Sequence, residues 1–409
     1  MLGEVDILSW LDQTESVRPA TKVTSAHADT LTSEEVNGTC FEIQREVLLA
    51  LLEKAVVVVP TRDMVPVLTN FQFQVADNEL KVVASSMEMS IVVSTDQVQT
   101  KVAGTEVFPA RTLLNIVKES GAGNSVYIEV TASGAVIVSG GFSAEIKMAS
   151  GKDFPPMDGL ESVTFHEVNR AAFIEALSAV RYALPGKEFS GQPGLKMISV
   201  KGGKFTACDG SRFQQVRIDG FKLSMKLPTF NIAILLKMLH SSDIEMLEVG
   251  ETKKRLIFRL GNTVLYMNKL EDPYPNVEQL WLRPALSNDQ LLVVDRSELI
   301  TAIKQVKIAS ESNAIGIIID SNTMRIQAKE SINSASTVIG CTWAGKPRTM
   351  VVNYVHLAEM LKAYNKDECR FLLGEDTKLH KSPILLKDED TLAIATIPQM
   401  LAYRAGLAS

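Results

Sequence analysis

The chain has 409 residues, enough for roughly two to four domains with separate cores. Apolar residues make up 46% and charged residues 22%, a globular balance, and no apolar run approaches the roughly 18 residues of a membrane span. A formal charge of −6 offers no global attraction for nucleic acid. The scattered Cys40, Cys208, Cys341 and Cys369 contain no C-x-x-C, which points to a reducing compartment and away from disulfides and structural zinc.

Residues 1–38 are rich in Thr, Ser, Glu and Ala and read as a flexible tail. One apolar island interrupts them, I-L-S-W-L at 7–11, in the manner of a short linear motif. No small-residue cleavage site follows an apolar run, which argues against a secretory leader.

From residue 39 the same succession of elements is read three times, over 39–158, 159–284 and 285–409. Arg45 opens R-E-V-L-L-A-L-L-E-K-A, an amphipathic helix. The hairpin V-A-D-N-E-L-K-V (75–82) and alternating strands over 82–103 come next. The strand-into-helix run V-F-P-A-R-T-L-L-N-I-V-K (107–118), strands over 125–149 and the exit D-F-P-P-M (153–157) complete the unit. In the second unit, Arg170 opens R-A-A-F-I-E-A-L-S-A-V, V-K-G-G-K-F-T-A (200–207) is the hairpin, and K-L-P-T-F-N-I-A-I-L-L-K (226–237) the second helix. In the third, Arg296 opens R-S-E-L-I-T-A-I-K-Q-V, I-D-S-N-T-M-R-I (319–326) is the hairpin, and M-V-V-N-Y-V-H-L-A-E-M-L-K (350–362) the second helix. Their exits read P-Y-P-N-V (273–277) and T-I-P-Q-M (396–400), and the linkers fall at 151–159 and 271–289. A period of about 125 residues means tripled whole domains, since solenoid repeats run about 20–50. The helical windows together are mildly basic within an acidic chain, as a surface facing a polyanion would be, although ordinary helix surfaces look similar.

Catalytic readings find little support. Asp209, Ser211 and His240 lack the G-x-S-x-G context of a nucleophile elbow. There is no G-x-x-x-x-G-K-[ST], and the five histidines include no i, i+4 pair. A non-catalytic chain without cofactor or metal is expected.

R-D-M-V-P-V-L-T-N-F (62–71), F-P-A-R-T-L-L-N-I-V-K (108–118), D-F-P (153–155), A-C-D-G-S-R-F (207–213), Y-P-N (274–276) and V-N-Y-V-H-L (352–357) occur in this order. Together they resemble landmarks of the bacterial DNA sliding clamps, the beta subunits of DNA polymerase III. The resemblance implies an α+β clamp fold: three domains with antiparallel sheets outside and two helices each inside, closed head to tail by a homodimer. It implies a processivity factor in the cytoplasm, encircling duplex DNA without sequence readout. A clamp loader opens such rings, and the replicative polymerase and other clamp-binding-motif proteins dock on them. Two further readings are a clamp-derived docking scaffold that does not encircle DNA and, distantly, a hydrolase.

The family's peptide pocket lies between its second and third domains and takes leucine and phenylalanine anchors. The resemblance carries it onto Leu195, Cys208, Gly210, Ser211, Arg212, Phe213, Pro275, Gln279, Leu280, Asn353, His356, Ile397, Pro398, Gln399 and Met400. Leu195, Phe213, Leu280 and Ile397 would wall the groove, and Arg212 would hold a peptide carbonyl or carboxylate. The chain departs from the family in reading Ser211-Arg212-Phe213 for H-R-L, and in continuing nine residues past Met400. The DNA-facing set is Arg62, Lys54, Arg111, Lys118, Arg181, Lys237, Lys304, Lys307 and Lys362, while Thr229-Phe230 replaces a basic pair. The dimer contact is expected between Ala144 and Ile146 of one chain and Ile308 and Ala309 of the other.

Overall fold

The computed structural model describes residues 38–374, without 63, 122, 152, 158, 187, 189, 278, 280–288 and 331, followed by 384–387 and the backbone of 391–395. The apolar island at 7–11, Leu280, and Ile397, Pro398, Gln399 and Met400 lie outside the described residues.

The first repeat runs β1 (Cys40–Gln44), α1 (Arg45–Ala55), β2 (Asn70–Ala76), β3 (Glu79–Ser85), β4 (Met89–Thr95), β5 (Val98–Val102), β6 (Gly104–Pro109), α2 (Ala110–Glu119), β7 (Ser125–Val130), β8 (Ala135–Ser139) and β9 (Phe142–Ile146). The second runs β10 (Phe165–Asn169), α3 (Arg170–Arg181), β11 (Met197–Lys201), β12 (Lys204–Cys208), β13 (Arg212–Arg217), β14 (Met225–Pro228), α4 (Thr229–His240), β15 (Met246–Glu251), β16 (Arg255–Leu260) and β17 (Thr263–Asn268). The third runs β18 (Gln290–Asp295), α5 (Arg296–Val306), β19 (Ala314–Asp320), β20 (Thr323–Lys329), β21 (Ser334–Gly340), β22 (Thr342–Trp343), β23 (Arg348–Asn353), α6 (Tyr354–Ala363), β24 (Glu368–Leu373), β25 (Ile384–Lys387) and β26 (Thr391–Ala395).

Local chemistry sets these boundaries. Asn169, Asp295 and Asn353 cap α3, α5 and α6 by accepting backbone N–H groups of the first turn. Pro109 and Pro228 stand immediately before α2 and α4, where an extended residue is needed. The predicted hairpins close with two-residue loops, pairing Ala76 with Glu79, Lys201 with Lys204 and Asp320 with Thr323. The first two hold positive φ at both central residues, Asp77 and Asn78, then Gly202 and Gly203, the twist that suits a tight hairpin. Most helices bury one stripe, but α4 buries Asn231, Ile232, Leu235, Leu236, Met238 and Leu239.

Each repeat splits into two half-sheets, and the half-sheets join across repeats. The described strands form four antiparallel sheets. The eight-stranded sheet runs β10-β15-β16-β17-β4-β3-β2-β6, so β17 of the second repeat lies beside β4 of the first. The nine-stranded sheet runs β14-β11-β12-β13-β26-β25-β24-β18-β22, so β26 of the third lies beside β13 of the second. The other two sheets, β5-β1-β7-β8-β9 and β21-β20-β19-β23, have no such junction. One outermost strand of each, β9 and β21, is the counterpart of a strand that joins elsewhere; the other edges are β5 and β23.

One apolar core runs through the first two repeats and a second fills the third. Phe41, Phe73 and Phe108 meet as tilted rings in the first repeat, and in the second Phe205 and Phe221 stack on each other and meet Phe173 edge to face, with Phe258 tilted against Phe173. Tyr182, at the end of α3, packs against both cores and ties the second repeat to the third.

Candidate functional site

At the junction of the second and third repeats, Leu195, Cys208, Phe213, Val277 and Leu385 form a small apolar cluster of their own, flanked by Tyr274 and Leu372. Its members arrive from four directions. A 3-10 turn (Pro193–Leu195) supplies Leu195, and the adjacent strands β12 and β13 supply Cys208 and Phe213. The linker after β17 brings Tyr274 and Val277, and β25 adds Leu385. Close approach fixes the linker: a Cβ on Gly194 would lie 2.2 Å from the Pro273 carbonyl oxygen, so only glycine fits. Tyr274 donates its hydroxyl to the Thr206 carbonyl at 3.3 Å.

Between β12 and β13 the chain turns through Asp209-Gly210-Ser211. Gly210 adopts φ +90, and the Asp209 carboxylate accepts the N–H groups of Ser211 (2.8 Å) and Arg212 (2.7 Å). This turn aims Arg212 at α6 of the third repeat. The guanidinium donates through Nε to Asp209 Oδ2 at 2.8 Å and through Nη1 to Glu359, and its Nη2 reaches the Leu184 carbonyl at 3.5 Å. The Tyr182 ring lies beneath it, 5.9 Å from the guanidinium carbon, and donates its own hydroxyl to Gln214. Arg212 is therefore a bridge between the second and third repeats.

The expected pocket residues divide accordingly. Leu195, Cys208, Gly210, Ser211, Arg212 and Phe213 come together with Pro275 nearby. Cys208 and Phe213 have no solvent exposure, so neither presents a surface of its own. Burial pushes the Cys208 thiol up to about 11, which makes it an inert apolar filler. Asn353 is occupied as the cap of α6, holding the N–H groups of Val355 and His356. His356 is half-buried beside Arg212, and burial, reinforced by that positive charge, lowers its pKa below the usual histidine value. Gln279 is exposed and exchanges hydrogen bonds with Asn276. The sequence reading missed Tyr182, Leu184, Val277, Leu385 and Glu359. Val277 lay within the noted run P-Y-P-N-V and Glu359 within M-V-V-N-Y-V-H-L-A-E-M-L-K (350–362), but Glu359 meets Arg212 from 147 positions away in the chain, and nothing local signals that pairing.

The expected DNA-facing cations share one geometry. Lys54, Lys118, Arg181, Lys237, Lys304 and Lys362 each lie in the last turn of one of the six described helices, where a cation complements the helix dipole. All but the half-buried Lys54 are exposed, as are Arg62 and Lys307. Arg111, at the start of α2, reaches the Val59 carbonyl and the Thr61 hydroxyl at 3.4 Å, on the loop that carries Arg62. Lys118 is paired with Glu53 at 3.3 Å. Of the expected dimer residues, Ile146 and Ala309 are buried, whereas Ile308 is 79% exposed. Ala309 packs in the core of the third repeat and has no surface to offer a partner. Among the described residues no group of three His, Cys, Asp or Glu could hold a metal, and no helix is long and apolar enough to cross a membrane.

Residues 39–158 match the family described as the DNA polymerase III beta subunit, N-terminal domain. The chain is 24% identical over 382 residues to the beta sliding clamp of Synechococcus elongatus, spanning 90% of this chain and 99% of that protein. It is 22% identical over 349 residues to that of Escherichia coli strain K12, spanning 82% and 93%. Among solved structures, a C. crescentus beta sliding clamp with polyethylene glycol bound superposes with a TM-score of 0.81 at 19% identity, covering 89% of this chain and all of that one. A sliding clamp from Bartonella birtlesii bound to griselimycin gives 0.78 at 20% identity, with the same coverage.

Proposed function

We propose, from the premise that this chain belongs to the bacterial-type DNA sliding clamps, that two copies close head to tail into a ring around duplex DNA. The observation that carries this reading is the pair of open edges. Two of the four sheets are completed across repeats by the pairs β4–β17 and β13–β26. The strand in the third repeat that corresponds to β4 and β13 is β21, and the strand in the first that corresponds to β17 is β9. Among the described residues both end their sheets, and an unpaired edge seeks a partner. Pairing β21 with β9 of a second chain repeats the internal junction, and a two-fold axis makes both contacts at once without leaving a growing end.

The faces agree with this pairing. Phe142, Ala144 and Ile146 point to the core side of β9, and Ala335, Thr337 and Ile339 alternate on the core side of β21. Phe142 is 38% exposed, and Ile308, beside β21, is far more so. The contact thus centres on 334–340 with Ile308 at its flank, in place of one through Ala309.

In the ring the helix ends carrying Lys118, Arg181, Lys237, Lys304 and Lys362, with Arg62 and Lys307, would face the duplex. Such weak, nonspecific phosphate contacts permit sliding. The cluster around Leu195, Phe213 and Arg212 would take the apolar anchors of polymerase, loader and repair-protein peptides. Nothing in this reading requires catalysis, and it places the protein with the replication machinery of the cytoplasm. Three domains divided as 39–158, 159–284 and 285–409 suit it.

Sedimentation tests closure. The wild type should run at twice the 44.8 kDa chain mass. Phe142→Asp, which puts a charge on a free edge and leaves the cores intact, should run as a folded monomer. A wild type that stays monomeric at micromolar concentration would favour the docking-scaffold reading.

A further inference from the structure

Arg212 stands between two carboxylates that are held very differently. Asp209 is fixed in its own turn: one oxygen takes the N–H groups of Ser211 and Arg212, and the other takes Nε and Nη2 of the guanidinium. Its side chain is 12% exposed. Glu359 comes from α6 of the other repeat, takes Nη1, and is 38% exposed. The arm of Arg212 that Asp209 leaves available is thus covered by a side chain at the surface. His356, one turn earlier on α6, sits in the field of the same three charges, and burial together with the Arg212 charge favours its neutral form. With two carboxylates, one guanidinium and a neutral imidazole, the cluster carries one excess negative charge.

Building on the peptide-pocket reading above, we infer that Glu359 is a charge filter: it lets a docking peptide place a neutral acceptor, an amide or backbone carbonyl, beside Arg212 and turns away a carboxylate. A neutral acceptor can share the Nη1 edge with Glu359. A carboxylate would be a third negative group around one positive one in a site of low exposure, and like charges juxtaposed at an interface are strongly disfavoured. The filter would separate partners with similar apolar anchors by the residue that precedes them, since specificity often rests on a repulsive element.

The test uses the full chain, its Glu359→Gln variant and two fluorescent, C-terminally amidated pentapeptides, Gln-Leu-Ser-Leu-Phe and Glu-Leu-Ser-Leu-Phe. The wild type should prefer the first by about tenfold, the scale of one unfavourable charge contact. Glu359→Gln keeps the shape and the hydrogen bond, and should bring the preference to within about twofold by strengthening the second peptide. A Glu359→Ala variant, which removes the carboxylate outright, should do the same. An undiminished preference in both variants would overturn the filter and leave the pocket standing. If neither peptide binds any of the three proteins at millimolar concentration, the pocket reading falls and takes the filter with it.

Discussion

The arginine that opens each repeat was the clearest landmark of the sequence, and its role is structural. Arg45 donates to the Lys118 carbonyl at 2.6 Å, Arg170 to Leu239 at 2.8 Å and Ile244 at 2.7 Å, and Arg296 to Leu361 at 3.4 Å. In every repeat the first residue of the first helix thus supplies a cation to the C-terminal turn of the second, whose last carbonyls have no intrahelical partner. Three tripled arginines in a chain that resembles a DNA-binding family invite a phosphate-binding role, and the geometry assigns them to helix pairing. Sequence alone could not make this distinction, because the acceptors are backbone carbonyls some 70 positions away. Arg170→Ala should cost about 2 kcal/mol, the scale of losing charge-assisted bonds at a partly exposed helix end. Urea denaturation would measure it, and a change within error of zero would show that solvent replaces the bonds.

At the scale of elements, the periodicity was readable because each unit carries its own punctuation: prolines before α2 and α4, caps before α3, α5 and α6, and two-residue turns in the hairpins. The sharing of sheets between repeats was not readable. β4 and β17 are both half-apolar antiparallel strands, and nothing in their composition says that one completes the sheet of the other. The internal junctions also make the intermolecular one specific. Counting from the hairpin turns, Thr337 stands where Val93 stands in the first repeat, and Phe142 where Thr263 stands in the second. Thr263 pairs with Val93, which sets Phe142 opposite Thr337 and Ala144 opposite Ala335. The second junction is slipped by two residues, which would set Ala144 opposite Thr337. A slip of two keeps the same faces inward, so both registers bury the same residues. With Cys341→Ser as background, Ala144→Cys combined with Ala335→Cys or with Thr337→Cys should give a disulfide-linked dimer under mild oxidation. Ala144→Cys with Val338→Cys, on the opposite face, should not, because the β-carbons would point apart. Gel electrophoresis without reductant reads the result, and equal cross-linking of all three pairs would refute the edge pairing.

For the whole molecule, the sequence reading reached the tripled succession of elements and the likeness to sliding clamps, and named part of the junction between the second and third repeats. Leu195, Phe213 and Arg212 do meet at one junction, yet Glu359 lies within the noted run 350–362 and Tyr182 just past the helix that Arg170 opens, and neither run signals that its residue meets Arg212. The cations at the helix ends were visible as composition, but composition does not distinguish a dipole complement from a DNA-facing surface. Closure around DNA is the claim from which the rest draws its meaning, and it is a claim about topology. The most direct measurement assembles the protein on nicked circular duplex, raises the salt to release phosphate contacts, and follows retention before and after the circle is cut once. The ring account predicts a complex that persists on the circle in high salt and is lost when the DNA becomes linear. Equal loss from circular and linear DNA would contradict it.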